Sequence, residues 1–160
     1  MNVDGLHTAA GSTNVCEVHG TVRRLRCKTH GVVSLPLASA KEMHPYRCPT
    51  CQGHLRPDVV LFTEGLPHDE WVRAADACQA LTQKDCMLVI GTTGAVYPAA
   101  GLPESVLMSG AHVIEINMDS SPISHAVDVF LQGRAKDLVP QLVNLALEEA
   151  EDSRIPEAGP

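Results

Sequence analysis

Four residues constrain the fold of this chain more than any others: Cys27, His30, Cys48 and Cys51. They form two close pairs, C-x2-H and C-x2-C, separated by seventeen residues. Zinc takes four thiolate or imidazole ligands in a tetrahedron, and a C-x2-C turn presents two of them from one knuckle. The spacing predicts one structural zinc ion; the alternative is a loop of free thiols. The stretch around the pairs has little core of its own, and a metal would replace the missing apolar contacts. His44, His54 and His68 read as solvated, with His44 and His54 near enough to the pairs to be substitute ligands.

Residues 1–20 are polar, broken by Gly5, Gly11 and Gly20, and read as a loop with a short helix. Residues 21–56 carry the zinc pairs and two strand-like pieces, Thr21–Arg26 and Gly31–Leu35. From residue 57 the character changes. Val59–Phe62 reads as a short buried strand, and His68–Leu81 as a helix with Trp71, Val72, Ala75 and Cys78 at helical spacing. Cys86–Ile90 is an unbroken apolar run, which suits a parallel strand buried on both faces. Pro98–Ser109 is expected to be helical, and His112–Ile116 and Val127–Leu131 to be strands. Asp137–Glu151 is expected to be an amphipathic helix with Pro140 in its first turn, where proline is tolerated. Residues 151–160 read as a frayed tail. Strands alternating with helices imply an α/β fold with a parallel sheet.

Composition narrows the function. Apolar residues make up 44% of the 160 residues but aromatics only 3%, so the core must rest on Val, Leu, Ile and Ala. A net charge of -7 argues against nucleic acid, whose phosphates require Lys and Arg. No apolar stretch approaches the length of a membrane span. Beyond the metal pairs, Cys16, Cys78 and Cys86 remain; this odd remainder reads as reduced thiols. With no secretory pattern after Met1, a cytoplasmic protein is expected.

In parallel sheets, ligands bind beyond the carboxyl ends of the strands. Gly91-Thr92-Thr93-Gly94 and Asn117-Met118-Asp119 follow two expected strands. The first offers backbone N–H groups and hydroxyls to a phosphate or ribose, the second an amide and a carboxylate to ribose hydroxyls. Each alone is equally a common turn; together they suggest a nucleotide.

Several segments, in order, resemble the sirtuin family of NAD-dependent protein lysine deacylases. Asn2-Val3-Asp4-Gly5-Leu6-His7 is similar to the end of that family's Gln-Asn-Ile-Asp-x-Leu-His motif, and Glu17-Val18-His19-Gly20 to its catalytic His-Gly element. The zinc pairs follow at the family spacing, with His30 where the family usually has Cys. Arg56–Glu64 resembles Arg-Pro-x-Val-Val-x-Phe-Gly-Glu, with Thr63 in place of the glycine. Gly91-Thr92-Thr93 with Val96-Tyr97-Pro98-Ala99 resembles Gly-Thr-Ser followed by Val-x-Pro-Ala, and Ile116-Asn117 a ribose-contacting Ile-Asn.

The resemblance implies a partial Rossmann-like parallel sheet with a small zinc-binding module. Residues 1–20 would be a catalytic-loop segment, 21–56 the zinc module and 57–150 the C-terminal half of an NAD-binding domain. It implies NAD as cofactor, one structural zinc and an acyl-lysine protein or peptide as substrate. The acyl oxygen would attack the ribose carbon that bears nicotinamide, and His19 would take a proton from the ribose hydroxyls. Asn2, Asp4, Gly91, Thr92, Thr93, Asn117, Met118, Asp119 and Ala135 would contact the cofactor. Val60, Phe62 and Val96 would line an apolar tunnel for the lysine stem, and Glu64 would sit in the peptide-pairing loop. The bland alternatives are a surface histidine, a disordered start at Asn2 and Asp4, an ordinary turn at Ala135, and plain core at Val60, Phe62 and Val96.

The family's glycine-rich first half is absent, so the chain is expected to be a fragment. If Cys86–Ile90 is the fourth strand of a 3-2-1-4-5-6 sheet, its inner neighbour is missing. The strand would be an exposed apolar edge that self-associates or takes up a complementing N-terminal half. The rival function is a catalytically inactive, zinc-bearing remnant that only binds.

Overall fold

The computed structural model describes residues 2–33 and 45–152. The chain divides into two compact units, Met1–Asp76 and Ala77–Pro160. Each contains its own three-stranded sheet.

In the first unit, β1 (Gly20–Cys27), β2 (Gly31–Val33) and β3 (Leu55–Val59) make an antiparallel sheet in the order β2-β1-β3. β1 pairs with β2 from Leu25↔Val33 to Cys27↔Gly31, so the tight turn between them carries His30. β1 pairs with β3 from Cys27↔Leu55 to Gly20↔Val59, with an irregularity between Thr21 and Leu25. Pro57 is tolerated in β3 because β3 is an edge of this sheet. The buried cluster is Cys27, Cys48 and Leu55, with Leu25, Val33 and Tyr46 packed against it. Two thiols and one leucine are too little apolar surface to hold a sheet together by burial alone. A short helix α1 (Leu6–Ala9) precedes the sheet, and α2 (His68–Gln79) follows it. Asp69 and Glu70 in the first turn of α2 suit the positive end of its dipole.

One expectation changes here. The strand expected at Val59–Phe62 is displaced toward the N-terminus and belongs to the antiparallel sheet; Leu61 and Phe62 are 54% and 91% exposed. The cause is a turn: the Glu64 N–H donates to Leu61 O (3.0 Å), and the Glu64 carboxylate accepts from the Leu61 N–H (3.0 Å). The strand expected over Gly31–Leu35 is described through Val33; its last two residues, like His44 and the tail from 153, lie outside the described residues.

In the second unit, β4 (Cys86–Ile90), β5 (His112–Asn117) and β6 (Val129–Gln132) form a parallel sheet in that order. Between β4 and β5 a single 3₁₀ turn (Ala99–Gly101) runs into α3 (Leu102–Met108), and α4 (Ala135–Asp152) follows β6. The core is Cys78, Val89, Val106, Ala111 and Val113, with Met87, Leu102, Leu107, Ile123 and Val127 packed around it. None is aromatic. Each fully buried Val contributes roughly 1.5–3 kcal/mol relative to exposure. Among the described residues no helix is long and apolar enough to cross a membrane.

The α/β pattern and parallel sheet are as expected, with β4 on the expected residues. Burial of β4 on both faces is not found: Val89 is buried, but Leu88 and Ile90, which share the opposite face, are 37% and 41% exposed. The expected helix over Pro98–Ser109 is the 3₁₀ turn plus α3. β6 starts two residues later than Val127, which packs into the core instead. α4 begins at Ala135, so Pro140 sits beyond its first turn and deprives the carbonyl of Lys136 of a helical partner.

Candidate metal centre and nucleotide-binding loops

The Cys27, His30, Cys48 and Cys51 ligand atoms all lie within 4.8 Å of one another. Cys27 Sγ is 3.6 Å from Cys51 Sγ and 3.7 Å from His30 Nδ1, and Cys48 Sγ is 3.6 Å from His30 Nδ1. Zinc–sulfur bonds of about 2.3 Å and zinc–nitrogen bonds of about 2.0–2.1 Å give tetrahedral edges of about 3.6–3.8 Å. The quartet therefore has the dimensions of one zinc ion, with Nδ1 as the imidazole ligand. Its fold is dictated locally. The Thr29 N–H donates to Cys27 Sγ (3.4 Å), and the backbone N–H groups of His30 and Thr29 hold the Cys27 thiol down to about 6. Backbone donors, led by Cys51, likewise lower Cys48. At the second knuckle Gln52 N donates to Cys48 O and Cys48 N to Gly53 O, both at 2.8 Å. A Cβ on Gly53 would lie 3.2 Å from Cys51 Sγ, so glycine keeps that ligand clear. His54 forms an isolated bridge with Arg47 and is not in the ligand group.

His19 lies in the turn that enters β1. The Gly20 N–H donates to Glu17 O (2.7 Å), and Gly20 has φ 74°, a left-handed conformation where a Cβ would run into the carbonyl of Asp58. His19 O accepts from the Val60 N–H (3.0 Å). Beneath the turn is an ionic network that sequence reasoning missed: Arg24 bridges Glu17 (2.6 Å) and Asp58 (3.1 Å), and Arg26 also pairs with Asp58 (2.5 Å). Burial alone would raise the Asp58 carboxyl, but Arg26 and Arg24 outweigh it and hold it below the ordinary range. These partners are far apart in sequence, and only the alternation of Arg24 and Arg26 along one strand hinted at them.

Asn2 and Asp4 flank Val3, which hydrogen-bonds to β1. The Val22 N–H donates to Val3 O (2.8 Å), Arg23 Nε donates to Asp4 O (2.7 Å), and Asp4 Oδ1 accepts from the Leu6 N–H (3.0 Å). Both line a cleft of about 270 Å³ with His7, Asn14, Cys16 and Glu17. Arg56 Nη2 donates to both Glu64 carboxylate oxygens (2.7 and 2.9 Å), and the Leu61 N–H with Arg56 lowers the Glu64 carboxyl. Val60 is half-buried, while Phe62 stands in solvent and is not core.

In the second unit a cleft of about 320 Å³ opens at the carboxyl ends of the strands. Gly91, Asn117, Met118 and Ala135 line it, as do Arg134 and Lys136, which the sequence reading passed over. Both cations sit at the start of α4, where the helix dipole disfavours positive charge; that mismatch was the available signal for an anionic ligand. Thr92, Thr93, Asp119 and Val96 do not line it. Thr92 is tied in instead: its Oγ1 accepts from the Gly94 N–H (3.2 Å), and its carbonyl accepts from Asn117 Nδ2 (2.6 Å). Val96 is 40% exposed, so it too is not core.

The model of the Sir2 family matches residues 1–98. The chain is 46% identical over 143 residues to the NAD-dependent protein deacylase 2 of Pyrobaculum aerophilum, covering 89% of this chain and 56% of that protein. It is 40% identical over 148 residues to the NAD-dependent protein deacylase Sir2 of Mycolicibacterium smegmatis, covering 89% of this chain and 60% of that protein. Among solved structures, a Sir2 homolog–NAD complex superposes with a TM-score of 0.79 at 35% identity, over 92% of this chain and 57% of its own. A Sir2–p53 peptide–NAD+ complex also gives 0.79, at 26% identity, over 91% of this chain and 60% of its own. The chain thus spans a little over half the length of these relatives. With the His-Gly turn, the metal quartet and the strand-end cleft all present in that order, the chain belongs to the Sir2 family.

Proposed function

We propose that this chain works in NAD-dependent removal of acyl groups from protein lysines, transferring the acyl group to ADP-ribose with release of nicotinamide. The observation that carries the reading is the strand-end cleft, which brings the Asn117 amide, Gly91 and the first residues of α4, with the cations Arg134 and Lys136, to one lining. That lining suits a ribose joined to phosphates. The relatives named NAD-dependent protein deacylase and the Sir2 complexes with NAD and peptide support it.

NAD would supply the sugar carbon that accepts the acyl oxygen and the nicotinamide that leaves. His19 would act as general base, receiving a ribose hydroxyl proton on its imidazole; the Gly20 turn and the Arg24 network fix the backbone from which it projects. Asn2 and Asp4 would face the nicotinamide end, with Thr92, Thr93 and Asp119 framing the ribose. Val60, Phe62, Glu64 and Val96 would meet the acyl-lysine peptide. The metal quartet would hold one zinc as a structural clip. A reducing, cytoplasmic setting fits thiols at Cys16, Cys78 and Cys86 that form no disulfide among the described residues.

The test is incubation of the 160-residue chain with NAD and an acetyl-lysine peptide, beside His19→Ala. Nicotinamide release that is lost in the variant supports the reading; release equal in both refutes it. The open edge of β4, with Leu88 and Ile90 exposed, favours one addition: strand pairing there with a second chain. Sedimentation showing that the chain stays a monomer, with or without Leu88→Lys, would rule the addition out.

A further inference from the structure

Glu115 is fully buried on β5, the central strand of the parallel sheet, between Ile114 and the equally buried Ile116. A carboxylate there is costly unless its oxygens are satisfied. No ion pair to it occurs among the described residues. Its partners are neutral: Ser124 Oγ donates to one oxygen (2.6 Å) and Asn117 Nδ2 to the other (3.3 Å). Both partners lead to the Gly91–Gly94 loop. The same Asn117 Nδ2 donates to Thr92 O (2.6 Å). Ser124 Oγ accepts from the Ser121 N–H (2.7 Å), and Ser121 packs so close to Gly94 that a Cβ there would lie 3.3 Å from its hydroxyl.

We propose that Glu115 is a positioning residue that sets the nucleotide-binding end of the sheet from two sides, through Asn117 and through Ser124. The inference rests on the nucleotide reading of this cleft. It also fixes the polarity of Asn117. Both Nδ2 protons are committed, to Thr92 O and to Glu115, and Oδ1 already accepts from the Met118 N–H (3.0 Å). One lone pair of Oδ1 remains, so Asn117 meets a ligand as an acceptor only and selects a hydroxyl donor.

The test compares Glu115→Ala, Glu115→Gln and Ser124→Ala in the 160-residue chain, with Val113→Ala as a control that opens a cavity on the same strand. ADP-ribose affinity is measured by calorimetry, and the Asn117 side-chain NH2 signals by NMR without ligand. Glu115→Ala is expected to weaken ADP-ribose roughly tenfold and to shift the signal of the NH2 proton that faces Glu115, while the one bonded to Thr92 O stays. Glu115→Gln, which keeps volume and one acceptor, recovers most of both, and Val113→Ala moves neither. Equal losses in Glu115→Ala and Val113→Ala, or unchanged NH2 signals in every Glu115 variant, overturn the proposal. If the wild-type chain does not bind ADP-ribose, the nucleotide reading fails, and the NH2 signals still decide whether Glu115 holds Asn117. Should Glu115→Ala not fold, Glu115→Gln and Ser124→Ala carry the same comparison.

Discussion

Thr63→Gly should stabilise the protein, by an amount that follows from the Leu61–Glu64 turn. Thr63 has φ 75° and is the third residue of a turn closed by Glu64 N–H to Leu61 O; Phe62 before it has ordinary φ. That is a type II turn, whose third position wants glycine. Holding a side chain in the left-handed region costs about 1–2 kcal/mol, and β-branching adds crowding. Against this, glycine gains freedom in the unfolded chain worth about 0.4–1 kcal/mol. Thr63 is exposed and its hydroxyl makes no hydrogen bond among the described residues, so no contact is forfeited. The net expectation is a gain of about 0.5–1 kcal/mol, or about 1–4 °C in Tm. Urea and thermal unfolding with zinc in constant excess would measure it, because metal linkage otherwise dominates the reading. Thr63→Val keeps the branching and should be near neutral. A Thr63→Gly protein less stable than wild type would refute the assignment of strain to this turn.

Removal of metal should have a far larger effect. Purified chain is expected to hold one zinc, and a strong chelator or Cys48→Ala should abolish the β signal of the antiparallel sheet, whose buried cluster is two thiols and a leucine; an unchanged spectrum after verified metal loss would contradict this. Asp58→Asn tests the ionic network under the His19 turn. A carboxyl lowered by Arg26 and Arg24 contributes fully above the ordinary value of about 4, and its contribution disappears as pH falls through the depressed one. The variant should cost about 1–3 kcal/mol at neutral pH and flatten the acid limb of the stability curve; parallel acid limbs for the two proteins would refute it.

The metal quartet was legible because ligand spacing and ligand chemistry are both written locally, and tetrahedral closure leaves few alternatives. β4 and β5 were legible as apolar runs between turn residues. Val59–Phe62 misled for the same reason: four apolar residues look like a strand until the Glu64 carboxylate, three residues beyond Leu61, captures a backbone N–H. The place of β4 at a sheet edge was read from the resemblance, but its burial was misjudged because an unbroken apolar run does not report whether both faces are covered. Glu115 was invisible, since a charged residue in a strand ordinarily faces water and its partners Ser124 and Asn117 are set by the strand–loop path. The Arg24–Asp58 pair joins residues 34 apart, and no local pattern announces such a contact.

Metal closure also separates the stability of the knuckles from the length of chain between them. His30 and Cys48 are separated by seventeen residues, and a bound ion would fasten both ends of that span. Loop-closure entropy grows only with the logarithm of length, about 0.6 kcal/mol per doubling. Once both knuckles are held, the entropic cost of a longer chain between them is therefore small, as long as β2 (Gly31–Val33), which pairs with β1, is kept intact.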